Sequence, residues 1–199
     1  MTQHDVSADV MALFNNMNDA AAQAEVDQGL GRLGWWPPPG DHECILEDVA
    51  VGKGEFRYFI GGAPNLLECA EVQFTFRLIN DPDAPSDQPR TFRDRAFLLL
   101  TDPQVASLPE TQDKARGGKQ QTRARMEFGR FKGHCAAILG LTEIPDIAVA
   151  IQEVLKAKAY ADSGGSVIPL TVRCLYDEGE RKDGSKYQRP DRCFVIERN

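Results

Sequence analysis

The sequence predicts a mainly β chain with a helical insert, an α+β fold. Three observations carry this. The chain has 199 residues, 42% of them hydrophobic and 27% charged, which is globular composition and enough length to bury about 70% of its unfolded surface. Several segments alternate apolar and polar residues with period 2, the strand signature. Two later segments switch to helical spacing between those strands and a closing hairpin.

The elements follow in order. Residues 1–34 read as an acidic helical or flexible arm. Val10, Leu13, Phe14, Met17 and Ala21 recur at helical spacing, and Gly29, Gly31 and Gly34 end the pattern. Trp35-Trp36-Pro37-Pro38-Pro39-Gly40 is no helix interior and forms a rigid lead-in. Residues 43–51 are rich in β formers. In 71–79, Val72, Phe74, Phe76 and Leu78 share one face, and Gln73, Thr75 and Arg77 the other. Residues 80–89 hold three prolines and three aspartates and read as a loop. Residues 91–100 alternate again, with Phe92, Ala96, Leu98 and Leu100 inward and Arg93 and Arg95 outward. A polar loop is expected over 103–120, and helices over 121–139 and 145–160. Strands at 167–176 and 192–198 flank a turn at Asp183-Gly184. Strands, then a helical insert, then a two-stranded hairpin is the order of an OB-like five-stranded Greek-key barrel. A plain α+β sandwich is the alternative. The expected organisation is thus an arm (1–34) followed by one OB-like nucleic-acid-binding domain (35–199).

Composition excludes several classes. No apolar run is long enough to span a membrane, and no basic n-region with an apolar stretch marks a secretory signal. The five cysteines are an odd number with no CxxC pair, which points to reduced, packed thiols and a cytoplasmic compartment. Net charge is −7 but uneven. Residues 1–34 hold five acids and one base, residues 35–89 ten and three. Residues 90–132 reverse the sign with ten bases against five acids, and 133–199 are balanced at nine bases and ten acids. A local basic face on an acidic protein can still hold a polyanion.

Catalytic motifs are weak. The histidines are His4, His42 and His134, and His134-Cys135 are helix neighbours that do not face one another, so a packed cysteine is the expectation. Gly118-Lys119 lacks the P-loop pattern, with Asp113 and Gln120 where Gly and Ser/Thr belong. Pro145-Asp146 followed by Glu180-Arg181-Lys182 is similar to the PD…(D/E)xK pattern of Mg²⁺-dependent nucleases, the main enzyme alternative. Asp41-His42-Glu43 offers three metal-ligand types, but strand neighbours face opposite ways. No cofactor, metal or catalytic residue is expected.

Binding single-stranded nucleic acid requires cations for phosphates and rings for bases. Three clusters supply them: Lys53, Arg57 and Tyr58, with Phe56 and Phe59 beside them; Arg77, Arg93 and Arg95 on neighbouring strands; and Lys182, Lys186, Tyr187 and Arg189, with Arg181 and Arg192, on the closing hairpin. Phe56 and Phe59 are expected in the core and Tyr58 outside. Trp36 either stacks a base or, with Trp35, caps the core. Arg123, Arg125, Arg130 and Lys132 would form a second phosphate-contacting flap. In an OB barrel the three clusters would share the face of strands 2 and 3 and its flanking loops.

In layout the chain resembles small phage or prophage single-stranded DNA-binding proteins of the OB type. The resemblance covers residues 36–198. It rests on Pro39-Gly40 before ECILEDV, the Arg93-to-Leu100 strand, the Gly133–Leu141 helix end and the Lys182-Asp183-Gly184 hairpin. It implies sequence-tolerant binding of single-stranded DNA, or RNA, during replication or recombination, with a homodimer and replication or recombination proteins as further partners and no membrane. The chain ends Glu197-Arg198-Asn199, without the acidic, hydrophobic-tipped tail through which many such proteins recruit partners. A structural or protein-interaction domain with an acidic surface and an amphipathic arm is the other reading of the same residues.

Overall fold

A computed structural model describes residues 35–60, 63–81, 90–98, 111–113, 119–121, 123–142, 144, 146–180 and 184–199. The arm at 1–34 lies outside the described residues.

Five long strands form one antiparallel sheet: β1 (Gly40–Ile60), β2 (Ala63–Leu78), β3 (Thr91–Leu98), β6 (Pro169–Glu180) and β7 (Lys186–Arg198), in the order β3-β2-β1-β6-β7. A short pair, β4 (Thr111–Asp113) and β5 (Lys119–Gln121), lies within the stretch expected to be all loop. Two helices, α1 (Arg123–Leu139) and α2 (Ile147–Ser163), separate β3 from β6 in the chain. The mainly β sheet with a helical insert before the closing hairpin is therefore as expected. No pairing between the edge strands β3 and β7 occurs among the described residues, so the sheet is open. Helix α1 packs against both edges.

The strands are longer than the sequence reading had them. β1 runs on through Gly52 and Gly54, past the expected end at residue 51, because the Phe56-to-Ile60 segment pairs in unbroken register with Ala63–Leu67. Residues 54–60 and 63–69 pair only with each other, as do 175–180 with 186–192. The sheet thus carries a two-stranded extension beyond each end of the shared part of β1.

The core lies between one sheet face and the helices. Val72, Phe74, Phe76 and Leu78 of β2 and Phe92, Ala96 and Leu98 of β3 are buried there, as the alternation predicts. Phe128, Phe131, Cys135 and Ile138 of α1 meet them at helical spacing. Trp36 takes its core-capping alternative, 6% exposed with its ring 5.8 Å from Phe92. Asp146 caps α2, its carboxylate accepting from the Val149 amide at 2.9 Å. The guanidinium of Arg198 donates to the Ile138 carbonyl at 3.2 Å and satisfies the end of α1. No helix among the described residues is long and apolar enough to cross a membrane.

Candidate nucleic-acid interface

Register defines the face of the sheet opposite the core. Arg93 lies across from Thr75, Arg95 from Gln73 and Arg77 from Thr91, so the three arginines share that face on adjacent strands. Beyond Gly52 the same face changes character. Phe56 and Tyr58 of β1 join Leu67 and Cys69 of β2 and Phe97 of β3 in a second apolar cluster. The Phe56 and Tyr58 rings stack at 6.3 Å and 11°, and Phe56 lies 5.6 Å from Phe97. One face therefore carries arginines at one end and aromatic rings at the other. The Arg95 guanidinium joins them, 5.2 Å from the Phe97 ring centroid.

Two expectations about this face need correction. Tyr58 is not an exposed stacking ring: it is 8% exposed, because positions 56 and 58 fall on the same side of β1 and bury together. The second concerns the cations, most of which have carboxylate partners. Arg77 donates through Nε to Glu47 at 2.6 Å, with Glu47 placed by the irregularity between Leu46 and Asp48. Arg95 lies 3.6 Å from Glu71, Lys53 3.1 Å from Glu68, and Arg173 makes a two-pronged pair with Asp41 at 2.6 and 2.8 Å. The Arg173 hydrogen bond holds the Asp41 carboxyl below its usual range. Arg93 is exposed and has no ion-pair partner among the described residues.

The remaining sequence candidates separate. Arg57 is exposed on the β1 extension with Lys53, but the two lie across from Leu66 and Ala70 and so on the side of the sheet opposite the arginines, which corrects the expectation of one shared face. Lys186 is exposed at the start of β7. The backbone places Tyr187 and Arg189 on β7, opposite Gly179 and Asp177. Arg181, Lys182 and Asp183 lie outside the described residues, so half of the nuclease-like pattern does too, while Asp146 is engaged as a helix cap. The first and third clusters sit on extensions at opposite ends of β1, with the arginine face between them.

The expected basic flap on α1 is overturned in part. Arg130 and Lys132 are buried, because α1 is enclosed from Met126 to Ala136. Arg130 belongs to a core network that sequence reasoning missed. Its guanidinium contacts Glu127 at 2.8 Å and Asp94 at 3.7 Å, and His134 Nε2 lies 3.6 Å from Asp94. Asp94, Glu127 and His134 have no measurable exposure. Burial pushes the Asp94 carboxyl well up, with Arg130 opposing, and drives His134 well below the usual imidazole range, aided by the Arg130 charge. The one sequence signal was Asp94 itself, an acid on the inward side of the Phe92–Leu98 alternation.

His134 packs edge-on against Phe74 at 5.1 Å. Burial raises the Cys135 thiol, so this thiol is poorly suited as a nucleophile. All five cysteines are free and buried. No group of His, Cys, Asp and Glu side chains fit to hold a metal ion occurs among the described residues.

No protein-family model, curated protein or solved structure matches this chain.

Proposed function

We propose that the chain is a non-catalytic, sequence-tolerant binder of single-stranded nucleic acid, DNA first, serving replication or recombination as phage-type proteins of this kind do. In this reading the five long strands curl into an OB-like barrel. The observation that carries it is the strand order β3-β2-β1-β6-β7, with both helices inserted between the third and fourth long strands. That order becomes a barrel if β3 meets β7, and α1 already packs against both. OB folds bind oligonucleotides on the face of strands 2 and 3 and with the loops joining strands 1–2 and 4–5. Here those features correspond to the arginine face and the two hairpin extensions. Arg93 would contact phosphate directly, whereas Arg77 and Arg95 would first exchange a carboxylate for it.

The test is fluorescence anisotropy of a labelled strand of about 30 nucleotides across salt concentrations, with and without Mg²⁺. Salt-sensitive binding that leaves the strand intact is expected, with Arg93→Glu lowering the log–log salt slope by about one. Unchanged affinity and slope in Arg93→Glu would remove the face from the reading, and Mg²⁺-dependent cleavage would move the protein to the nuclease class.

One observation favours a second reading, a protein-interaction domain. The Arg77–Glu47, Arg95–Glu71 and Arg173–Asp41 pairs leave the face close to neutral, which suits a polar protein partner better than a polyanion. Absence of strand binding even at low salt would select it.

A further inference from the structure

Two cysteines face each other across the closing hairpin. Cys174 of β6 lies directly opposite Cys193 of β7, between the Arg173–Phe194 and Leu175–Arg192 pairs. Both belong to the core side of the sheet and have no measurable exposure, and the Cys193 thiol is hydrogen-bonded to that of Cys174. Directly opposed residues of an antiparallel pair have Cα atoms about 4.5–5.5 Å apart, inside the roughly 4.4–6.8 Å span that a disulfide bridges. The register therefore supplies both the separation and the common direction that a bridge needs.

The other thiols are placed differently. Cys44 of β1 lies opposite Leu170, four residues along β6 from Cys174, which is about 13 Å at the rise of a strand; a bridge there would require backbone movement. Cys69 sits in the second apolar cluster, on the arginine face. Cys135 enters the core from α1. Of the five, Cys174 and Cys193 alone are brought opposite each other by backbone register. Their position decides what a bridge does. Beyond them, 175–180 and 186–192 pair only with each other, and among the described residues β7 is bonded to no strand but β6. The hairpin end can lift as far as Cys193 without dismantling the rest of the sheet, the kind of local opening that edge elements undergo. Opening also gives access to the sulfurs, since burial raises the Cys193 thiol well above its usual range and keeps it unreactive in the closed form.

We propose that Cys174 and Cys193 are a redox pair that locks the root of the β6–β7 hairpin, oxidised by a small disulfide of the glutathione type. In the opened hairpin one thiolate attacks the S–S bond of the oxidant, releases one glutathione thiolate and forms a mixed disulfide. The second thiolate attacks the protein sulfur of that bond and releases the second glutathione thiolate. The two thiol protons pass to the released thiolates, and two electrons leave the protein for the oxidant. The lock goes beyond the single-strand reading and does not depend on it.

The full chain is incubated with oxidised glutathione, blocked with iodoacetamide, and measured as an intact mass and as tryptic peptides without reduction. The expected result is the loss of two hydrogens, with the peptide 174–181 joined to 193–198. Cys44→Ser/Cys135→Ser should retain the bridge. Oxidation should raise the thermal midpoint by roughly 5–10 °C, because the bridge constrains the unfolded chain. It should also slow amide exchange across 175–180 and 186–192, and dithiothreitol should reverse both effects. A mass that oxidised glutathione leaves unchanged, in the native chain and during refolding alike, overturns the proposal, as does a bridge to Cys44 or Cys135. A Cys174–Cys193 bridge that lowers the thermal midpoint overturns the lock, since the native register would then not accommodate it.

Discussion

The buried network of Asp94, Glu127, Arg130 and His134 makes a quantitative prediction through its charge balance. Two carboxylates, one guanidinium and one imidazole share a site in which Asp94, Glu127 and His134 are fully enclosed and the Arg130 side chain is 7% exposed. With both acids ionised and the imidazole neutral the set carries one net negative charge in the core, which is costly. Electroneutrality requires one more proton, and the raised Asp94 and lowered His134 place it on Asp94. The two shifts act on stability with opposite signs. The raised Asp94 contributes stability that is present below its unfolded value of 3.8 and is lost as pH rises through its folded value. The lowered His134 contributes stability that is present above its unfolded value of 6.5 and is lost as pH falls. Between those unfolded values the slopes cancel, since each state holds one proton. Above 6.5 the unfolded state has released that proton, and stability falls by at most about 1.4 kcal/mol per pH unit while the folded state keeps it.

Asp94→Asn keeps the shape, is neutral at every pH and leaves Glu127 with Arg130, so it should remove that slope and be the more stable protein at pH 8. Urea unfolding at pH 6.5, 7.25 and 8 measures this. The upper limit matters because burial also raises the thiols, with Cys69 pushed up to about 12. They lower stability in the same direction once pH nears the unfolded thiol value of 9. An Asp94→Asn slope equal to that of the unsubstituted protein would refute the reasoning.

Three further outcomes follow from the same geometry. Arg130→Met leaves Glu127 and Asp94 without their cation and should cost about 3–5 kcal/mol in urea unfolding, with Arg130→Met/Glu127→Leu recovering much of it. Gly54→Ala places a Cβ against the Glu71 side chain, its Cβ included; it should cost about 1–3 kcal/mol in thermal unfolding, and the same substitution made in a Glu71→Gly background, where both contacts are gone, should cost less if that collision is the cause. Asp146→Ala removes the α2 cap and should cost about 1 kcal/mol, with no change in strand binding measured by anisotropy; a larger loss than this in binding would give Asp146 a role outside capping.

The alternation in 71–79 and 91–98 determined by itself which residues of β2 and β3 enter the core, because period 2 is a property of the extended backbone and every sheet respects it. The helical stripe of α2 and its stop at Gly164 were equally local, resting on side-chain spacing and end chemistry within a few residues. Strand order, the length of β1 and the fate of the charges required the tertiary structure. Gly52 and Gly54 break a strand in isolation, yet here one of them makes room for Glu71 from the neighbouring strand. Arg130 and Lys132 read as part of a phosphate-contacting flap, since polarity within one helix says nothing about what encloses it. Arg77 and Arg95 looked free because Glu47 and Glu71 become their partners only when distant segments pair. Sequence alone sets the pattern of each element, a matter of residues a few positions apart. Which cation meets which anion is decided by contacts far apart in the chain, and only the folded chain brings them together.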